Sequence, residues 1–345
     1  MRACCSGKNK EEYTIMEKKE FRAYVGNDEQ VYGVRRVILD EGNARGISMY
    51  QVTTAGGLEL DILPDNALDI GHLRYKGVNI SYTTKNGYDS PARFQPIPGE
   101  FGRYFPGGML FTCGLLSAGP ENTDNDGTFH PLHGRFHGLG AKGLCGYVEG
   151  ENIIVGGEIR ETQQGSYCFS VKRKYTIPAF GSEVQLEDEI TNLTEAPAEY
   201  MMLYHMNFGW PILSEAAHLD FPEKRKVTPR TPYAEKGLPE QCSFSKPLDG
   251  EEEQVFFNEM ESEAFVRLVN PEVGITAEVS WSLDTLPILA QWKNMKSGDY
   301  VLGLEPSTCY IMGRERERRE GRLMRLEPFG SVRHSVRLKF SENAK

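Results

Sequence analysis

The chain has 345 residues and a formal net charge of −10, from 49 acidic and 39 basic side chains. A protein of this sign repels a phosphate backbone, so we do not expect a nucleic acid partner. Its length is compatible with two domains of ordinary size or with one large β-sandwich.

The amino-terminal segment MRACCSGKNKEEYTI (residues 1–15) lacks the apolar stretch that a signal peptide requires. No run of about 18 apolar residues, the length of a membrane span, occurs in the chain. The seven cysteines are odd in number and contain no C-x-x-C pair, which favours a reducing compartment over a disulfide framework or a zinc knuckle. We therefore expect a cytoplasmic protein without a membrane partner. Residues 1–15 are either a disordered leader or the product of a start codon upstream of Met16, and residues 16–345 are expected to form a single domain.

The first segment with strand character, GLELDILPDNALDIGHLRYKGVNI, occupies residues 57–80. Its alternation of apolar and polar residues predicts short strands, and Pro-Asp-Asn at 64–66 predicts a turn between them. His72 follows that turn and faces either solvent or a pocket, so we keep it as a candidate ligand-contacting residue.

The segment HPLHGRFHGLGAK, residues 130–142, places three histidines, an arginine and a lysine among glycines. It fits three kinds of site: a metal site, an anion-binding loop, or the edge of an acid-base active site. The spacing of His130, His133 and His137 would align them on a helix, but Pro131 and the glycines oppose a helix and so disfavour a metal site. An anion-binding loop lacks the strand-to-helix context that it needs.

Further alternation predicts strands at residues 171–193, around a glycine-containing turn, and at 274–283 and 331–340. Turn signals from 36 glycines and 19 prolines are spread through the whole chain. This pattern is typical of an all-β protein built as a large antiparallel β-sandwich, and not of alternating strands and helices.

The run EYMMLYHMNFGWPIL, residues 199–213, predicts a strand that ends in an irregular turn. Alternation puts His205 and Asn207 on the same face as Met201 and Leu203, so a histidine and an asparagine emerge together at the end of the strand. Strand ends that open into loops are where pockets form.

Two charged segments are predicted to lie on the surface. The acidic stretch LDGEEEQVFFNEMESEAF (residues 248–265) predicts an irregular excursion, and RERERREGR (314–322) predicts a solvated segment whose charges pair with one another.

Glu305 lies between them, inside the otherwise apolar run YVLGLEPSTCYIMG at residues 300–313. An unpaired carboxylate loses several kcal/mol on desolvation, so a glutamate in this position must be paired, hydrogen-bonded or functional. A glutamate and a histidine on neighbouring strand ends would supply a general base and a general acid.

In this order, three of these segments resemble the galactose mutarotase (aldose 1-epimerase) family. LHGRFHGLGAK is similar to the family turn that carries its first active-site histidine, here His133. ITNLTEAPAEYMMLYHMNFG resembles the segment with the general-acid histidine, here His205, and LGLEPSTC resembles the strand with the general base, here Glu305. The resemblance spans residues 16–345 and is greatest for a bacterial branch of that superfamily.

The resemblance implies the mutarotase-like supersandwich, interconversion of sugar anomers, a small-molecule sugar as partner, and no cofactor or metal. It also implies a group of substrate-binding residues around the acid-base pair. Our candidates are His133, Arg135, Asn207, Arg103, His137, Trp292, Lys293 and His72. Arg135 replaces the second glycine of the family turn, and HMNFGWP differs from the usual sequence after the histidine, so the sugar itself is left open. A homodimer is one assembly to test.

Two alternatives remain. One is a metal-dependent sugar isomerase or epimerase that uses His130, His133, His137 and a carboxylate. The other is a carbohydrate-binding protein that has the sandwich but no catalytic activity.

Overall fold

A computed structural model describes residues 18–343 of the chain, so the predicted leader at 1–15 lies outside the described residues. Strands dominate this part of the chain, as predicted. In chain order they are β1 (Gly33–Ile38), β2 (Ser48–Thr53), β3 (Leu58–Leu63), β4 (Asp69–Tyr75), β5 (Val78–Asn79), β6 (Leu110–Leu115), β7 (Asn122–Thr123), β8 (Phe129–His130), β9 (Lys142–Glu149), β10 (Asn152–Thr162), β11 (Cys168–Pro178), β12 (Glu183–Asn192), β13 (Ala198–Phe208), β14 (His218–Asp220), β15 (Arg225–Pro229), β16 (Gln254–Met260), β17 (Phe265–Asn270), β18 (Ile275–Trp281), β19 (Ile288–Lys296), β20 (Asp299–Ser307), β21 (Met324–Leu326) and β22 (Ser331–Glu342).

The strands form three large sheets in which the neighbours are antiparallel. Sheet A has the order β1-β2-β3-β4-β5, and sheet B has the order β14-β17-β18-β22-β12-β11-β10-β9. Sheet C has the order β15-β16-β19-β20-β13-β21, with β6 also paired to β13. A separate two-stranded ribbon joins β7 and β8. The all-β antiparallel sandwich predicted from the sequence is therefore confirmed.

The α-helices are short and lie before or between the strands. They are α1 (Lys18–Tyr24), α2 (Phe101–Tyr104), α3 (Pro232–Lys236) and α4 (Arg314–Arg319). Among residues 18–343, no helix has the length and apolar character needed to span a bilayer.

Alternation along the strands explains how the core forms. In β22 the buried positions include His334, Val336, Leu338 and Phe340, while the residues between them are more exposed. The largest buried apolar cluster takes side chains of this kind from sheets A, B and C together. Because side chains in a strand point alternately to opposite faces, a period of two residues is enough to build this interior.

Both charged segments depart from their predicted surface positions. Residues 254–260 form β16, a mostly buried strand between β15 and β19, because Phe256 and its neighbours supply an apolar face after the acidic run. Residues 314–319 form α4, in which Arg314 and Glu317 are buried. Arg314 donates to the carbonyl oxygen of Leu116 at 2.8 Å, so α4 fastens the chain near the end of β6.

A buried ion network joins the three sheets. The guanidinium of Arg173 on β11 bonds both carboxylate oxygens of Asp188, at 2.9 and 2.7 Å, and Oδ1 of Asp69 on β4, at 2.7 Å. Thr112 on β6 donates its hydroxyl and its backbone N–H to Asp69, and Tyr204 on β13 donates to Asp188 at 2.8 Å. Each of these five side chains is buried. The network therefore fixes β13 against sheets A and B.

We predict that Arg173→Met destabilises the protein by about 3–5 kcal/mol, because it leaves two buried carboxylates without their cation. Urea unfolding of both proteins measures this difference. The control is Arg160→Met on β10, which removes an exposed arginine paired with Glu158 and should cost no more than about 1 kcal/mol. Equal losses in the two variants would contradict the role assigned to Arg173.

Candidate functional site

His205 lies on β13 and points away from the main core. Its neighbours Tyr204 and Met206 belong to the main core, whereas Met201 and Leu203, on the same face as His205, belong to a second apolar cluster. The alternation along β13 therefore separates a structural face from a face that lines a cavity.

Glu305 reaches the same place from the adjacent strand. In the antiparallel pairing of β13 with β20, Met206 lies opposite Leu304 and Asn207 lies opposite Gly303. This register brings Nε2 of His205 to 3.3 Å from Oε1 of Glu305, and the two residues are only 5% and 1% exposed. A potential acid and a potential base therefore lie side by side at low exposure.

Gly303 leaves the space that the carboxylate of Glu305 occupies. A Cβ atom placed on Gly303 would lie 2.1 Å from Oε1 of Glu305 and 3.0 Å from Cβ of Trp292. Gly303, two residues before the glutamate in the sequence LGLE, is therefore a steric requirement of this carboxylate position and not of a turn.

His133 approaches the pair from the loop before β9. Its backbone has a φ of 61°, and its Nδ1 accepts a hydrogen bond from the backbone N–H of Gly119 at 3.4 Å. Its ring lies 5.4 Å from that of His205 and 5.3 Å from that of Phe101. The strained loop thus holds a third polar group, the imidazole of His133, beside the pair.

These groups line a cavity of about 480 Å³, here called the main cavity. The volume falls within the range of small-molecule sites, about 300–1,000 Å³. Its lining consists of Phe101, Phe105, Gly119, Pro120, Leu132, His133, His205, Arg230, Thr231, Glu253, Val255, Trp292, Glu305, Ile311 and Met312. Many apolar side chains with a few polar groups among them are typical of a site that binds a small organic molecule.

Burial perturbs the titration of the pair in opposite directions. Desolvation raises the pKa of Glu305 well above its usual value, although the positive charge of Arg230 partly opposes the rise. Desolvation also lowers the pKa of His205 well below its usual value, and the Asn207 side chain partly opposes that change. Burial lowers the pKa of His133 to about 4. Low polarity therefore favours the neutral forms of all three groups.

Arg230 and Glu253 are cavity residues that the sequence interpretation missed. Nη2 of Arg230 lies 2.5 Å from Oε1 of Glu253, and Nε1 of Trp292 donates to Oε2 of the same carboxylate at 2.8 Å. Trp292 in turn packs edge to face against His205, with ring centroids 5.3 Å apart. Glu253 therefore holds both Arg230, the cation of the cavity lining, and Trp292, which forms one of its aromatic walls.

Sequence signals for these two residues are weak. Arg230 stands in a turn, in TPRTP between β15 and α3, and Glu253 ends the acidic run that precedes β16. Nothing in either pattern distinguishes a cavity residue from an exposed one. Only the pairing of β16 with β19 brings Glu253 close to Trp292.

The structure brings some predicted site residues to the cavity. His133, His205, Trp292 and Glu305 line it. Asn207 is buried behind it, where its amide donates to the carbonyl oxygens of Gly108 and His205 at 3.1 Å in both cases. Asn207 can act on His205 but is not part of the cavity lining.

Two more candidates are buried elsewhere. His137 is enclosed by aromatic rings, stacks on Phe111 with centroids 4.4 Å apart, and has a pKa lowered by burial to about 3. Lys293 points to the opposite face from Trp292, where its Nζ donates to the carbonyl oxygen of Glu240 at 2.8 Å. Neither side chain lines the main cavity.

The last three candidates also lie outside the lining. Arg103 is exposed and pairs with Glu100 at 3.4 Å, and Arg135 is exposed on the histidine loop. His72 packs against Tyr88, with ring centroids 5.2 Å apart. Arg103 lies in the chain between the cavity residues Phe101 and Phe105, and Arg135 lies two residues after His133, so closeness in sequence does not bring their side chains into the cavity.

The histidine loop does not assemble three ligands. Nε2 of His130 lies 3.1 Å from Oδ2 of Asp124, while His133 lines the cavity and His137 stacks on Phe111. Within residues 18–343, no group of three or more histidine, cysteine, aspartate or glutamate side chains is arranged to hold a metal ion. The geometry therefore gives no support to the metal-dependent alternative.

Solved structures share this architecture. A putative aldose 1-epimerase from Klebsiella pneumoniae subsp. pneumoniae MGH 78578 superposes with a TM-score of 0.83 and 22% identity, over 90% of this chain and 83% of that chain. A galactose mutarotase-like protein from Clostridium acetobutylicum has a TM-score of 0.63 and 14% identity, over 91% and 99% of the two chains. A galactose 1-epimerase from Lactobacillus acidophilus NCFM has a TM-score of 0.60 and 12% identity, over 91% and 100%.

The protein therefore has the galactose mutarotase-like fold, and the resemblance inferred from the sequence is confirmed at that level. The chain belongs to the family described as Domain of unknown function (DUF4432), whose model matches residues 44–340. A search of the curated proteins found none that matches it.

We predict that Gly303→Ala destabilises the protein by about 1–3 kcal/mol, because the new methyl group overlaps the Glu305 carboxylate. In a Glu305→Ala background the carboxylate is absent, and the same change should cost less. A double-mutant cycle of unfolding free energies measures this coupling. Gly140→Ala, at a position with open space around it, is the control. Additive costs would show that Gly303 does not provide the space for Glu305.

Proposed function

We propose that this protein is an aldose 1-epimerase-like isomerase that interconverts the anomers of a sugar by acid-base ring opening and reclosure. The observation that carries the proposal is the pair formed by His205 and Glu305, 3.3 Å apart, in a cavity of about 480 Å³. The fold shared with solved epimerases supports it.

The chemistry needs one proton donor and one proton acceptor. A base takes the proton of the anomeric hydroxyl while an acid gives a proton to the ring oxygen, and the ring C–O bond breaks to leave an open-chain aldehyde. Rotation about the bond to the aldehyde carbon and reclosure on its other face reverse both transfers. No atom is gained or lost, and each positioned group typically contributes about 10²–10⁴-fold to the rate.

A single proton held by the pair is enough, because it makes one of His205 and Glu305 an acid and leaves the other as a base. From the sequence we assigned the base to Glu305 and the acid to His205, and that assignment needs both groups charged. Burial works against it, since the pKa of Glu305 is raised and that of His205 is lowered. We therefore propose that the proton lies on Glu305 before reaction, that neutral His205 accepts the first proton, and that Arg230 stabilises the carboxylate as it forms.

The remaining cavity residues supply binding. The indole of Trp292 and the rings of Phe101 and Phe105 offer apolar surfaces to the C–H faces of a sugar ring. His133 and the Arg230–Glu253 pair offer donors and acceptors for hydroxyl groups. The five described cysteines are unpaired, which supports our proposal that the enzyme works in the cytoplasm.

We predict that the protein accelerates anomer exchange and that Glu305→Gln and His205→Asn each reduce the rate by about 100-fold or more. Saturation-transfer NMR on a panel of aldoses, uronates and ketoses measures the exchange directly. His72→Asn, which changes a histidine outside the cavity, is the matched control and should keep the wild-type rate. Sugar binding without any acceleration would support the non-catalytic alternative, and equal rates in all four proteins would overturn the proposal.

The pH dependence of the rate gives a second prediction. Activity requires one proton on the pair, so the rate falls at low pH when His205 gains a proton and at high pH when Glu305 loses its proton. Removing the positive charge with Arg230→Gln raises the pKa of Glu305 further, so the alkaline limb should move to higher pH.

The measurement is the pH profile of kcat/KM for the wild type and the Arg230→Gln variant, with Arg160→Gln as the control for loss of a surface cation. The position of the limb is independent of any loss of sugar affinity at the mutated site. A limb that stays in place or moves to lower pH would contradict the coupling between Arg230 and Glu305.

A further inference from the structure

A second cavity adjoins the main cavity and shares two aromatic lining residues with it. It has a volume of about 350 Å³ and shares Phe105 and Trp292 with the main cavity. Its lining consists of Tyr82, Thr84, Lys85, Asn86, Gly102, Phe105, Trp292, Asn294 and Asp299. The proposed acid-base chemistry uses none of its polar residues.

The polar groups of this second cavity are held in place by the fold. Asn86 donates to the carbonyl oxygens of Gly102 and Phe105, at 3.1 and 3.0 Å, which ties it to the segment around α2. The side-chain Oδ1 of Asn294 accepts a hydrogen bond from the backbone N–H of Lys296 at 3.1 Å. These bonds hold Nδ2 of Asn86 and Oδ1 of Asn294. The other polar atom of each amide, Oδ1 of Asn86 and Nδ2 of Asn294, remains for a ligand.

The charges of the second cavity balance each other. Nζ of Lys85 lies 2.9 Å from Oδ2 of Asp299, and burial together with the Asp299 carboxylate raises the pKa of the Tyr82 hydroxyl to about 12. A cavity with amides, a hydroxyl, a balanced ion pair and aromatic edges suits an uncharged polyhydroxylated ring better than an ion.

The position of the acid-base pair sets the direction of a bound saccharide. Glu305 and His205 are 1% and 5% exposed, whereas Glu253, also in the lining, has a side chain that is 48% exposed. Anomeric chemistry at the pair requires the reducing end of the sugar to enter first. The rest of a longer saccharide must then extend away from the pair. Phe105 and Trp292 line both cavities, so a saccharide that follows them reaches the second cavity.

We propose that the second cavity is a binding subsite for the neighbouring ring of a reducing disaccharide or oligosaccharide, whose reducing end occupies the main cavity. Trp292 and Phe105 contact both rings, and Asn294, Asn86 and the Lys85–Asp299 pair bond the hydroxyl groups of the outer ring. The direction in which the saccharide binds rests on the proposed function. The assignment of the second cavity as a sugar subsite rests on its lining residues and does not depend on that function.

The experiment compares sugars that share one reducing end. Glucose, maltose, cellobiose, lactose and melibiose all end in glucose, so differences among them report the second ring, and xylose with xylobiose and mannose with mannobiose extend the set. We expect kcat/KM for at least one disaccharide to exceed that of its monosaccharide by tenfold or more. Asn294→Ala and Asp299→Asn should remove this advantage and leave the monosaccharide constants unchanged.

Asn125→Ala is the matched control, since Asn125 bonds Glu315 in a loop that lines neither cavity. Disaccharides that react no better than their monosaccharides, or variants that lower both in the same proportion, would overturn the subsite.

Calorimetric titration of the same sugars separates this inference from the proposed function. If no sugar is turned over, tighter binding of a disaccharide that depends on Asn294 still supports the subsite. Binding that is equal for both sugars, or undetectable for both, counts against it whatever the rates show.

Discussion

The buried guanidinium of Arg173 is the contact on which the geometry of the cavity depends. It neutralises Asp188 beside it in sheet B and Asp69 in sheet A, and through Asp188 it bonds Tyr204 in sheet C. Tyr204 immediately precedes His205 on β13 and points to the opposite face. Because the network is shielded from water, losing one partner leaves a costly unpaired charge, so β13 has little freedom to shift. His205, on the cavity face of β13, is therefore held in a fixed position as well.

The same exclusion of water that stabilises the interior tunes the candidate site. Burial favours neutral Glu305 and neutral His205, and the cavity offers one cation, Arg230, close enough to oppose it. Glu253 holds Arg230 and Trp292 together and so links the electrostatics of the pair to the aromatic wall beside it. The proposed acid-base pair, Arg230 and the aromatic wall of the cavity form one connected set of contacts.

Several features of this protein could be predicted from residues alone. Alternation of apolar and polar residues, which follows from side chains pointing to opposite faces of a strand, gave the all-β sandwich and the two faces of β13. A carboxylate within an apolar run singled out Glu305, because desolvation without a partner is too costly to occur without a reason. The order of three motifs indicated the family resemblance. Each of these signals depends on residues that are close together in the chain, so a single sequence is enough to detect it.

Other features were decided only by tertiary structure. Arg173 and Asp188 lie opposite each other on the adjacent strands β11 and β12, whereas Asp69 is distant in sequence and reaches Arg173 only because sheet A packs against sheet B. Glu253 and Arg230 gave no distinguishing signal, while His137 was an attractive candidate that packing encloses among aromatic rings. The sequence by itself determined which residues could form strands and which charges needed a reason to be buried. Register and packing between distant strands decided which of them meet, because those contacts depend on the position of the whole chain.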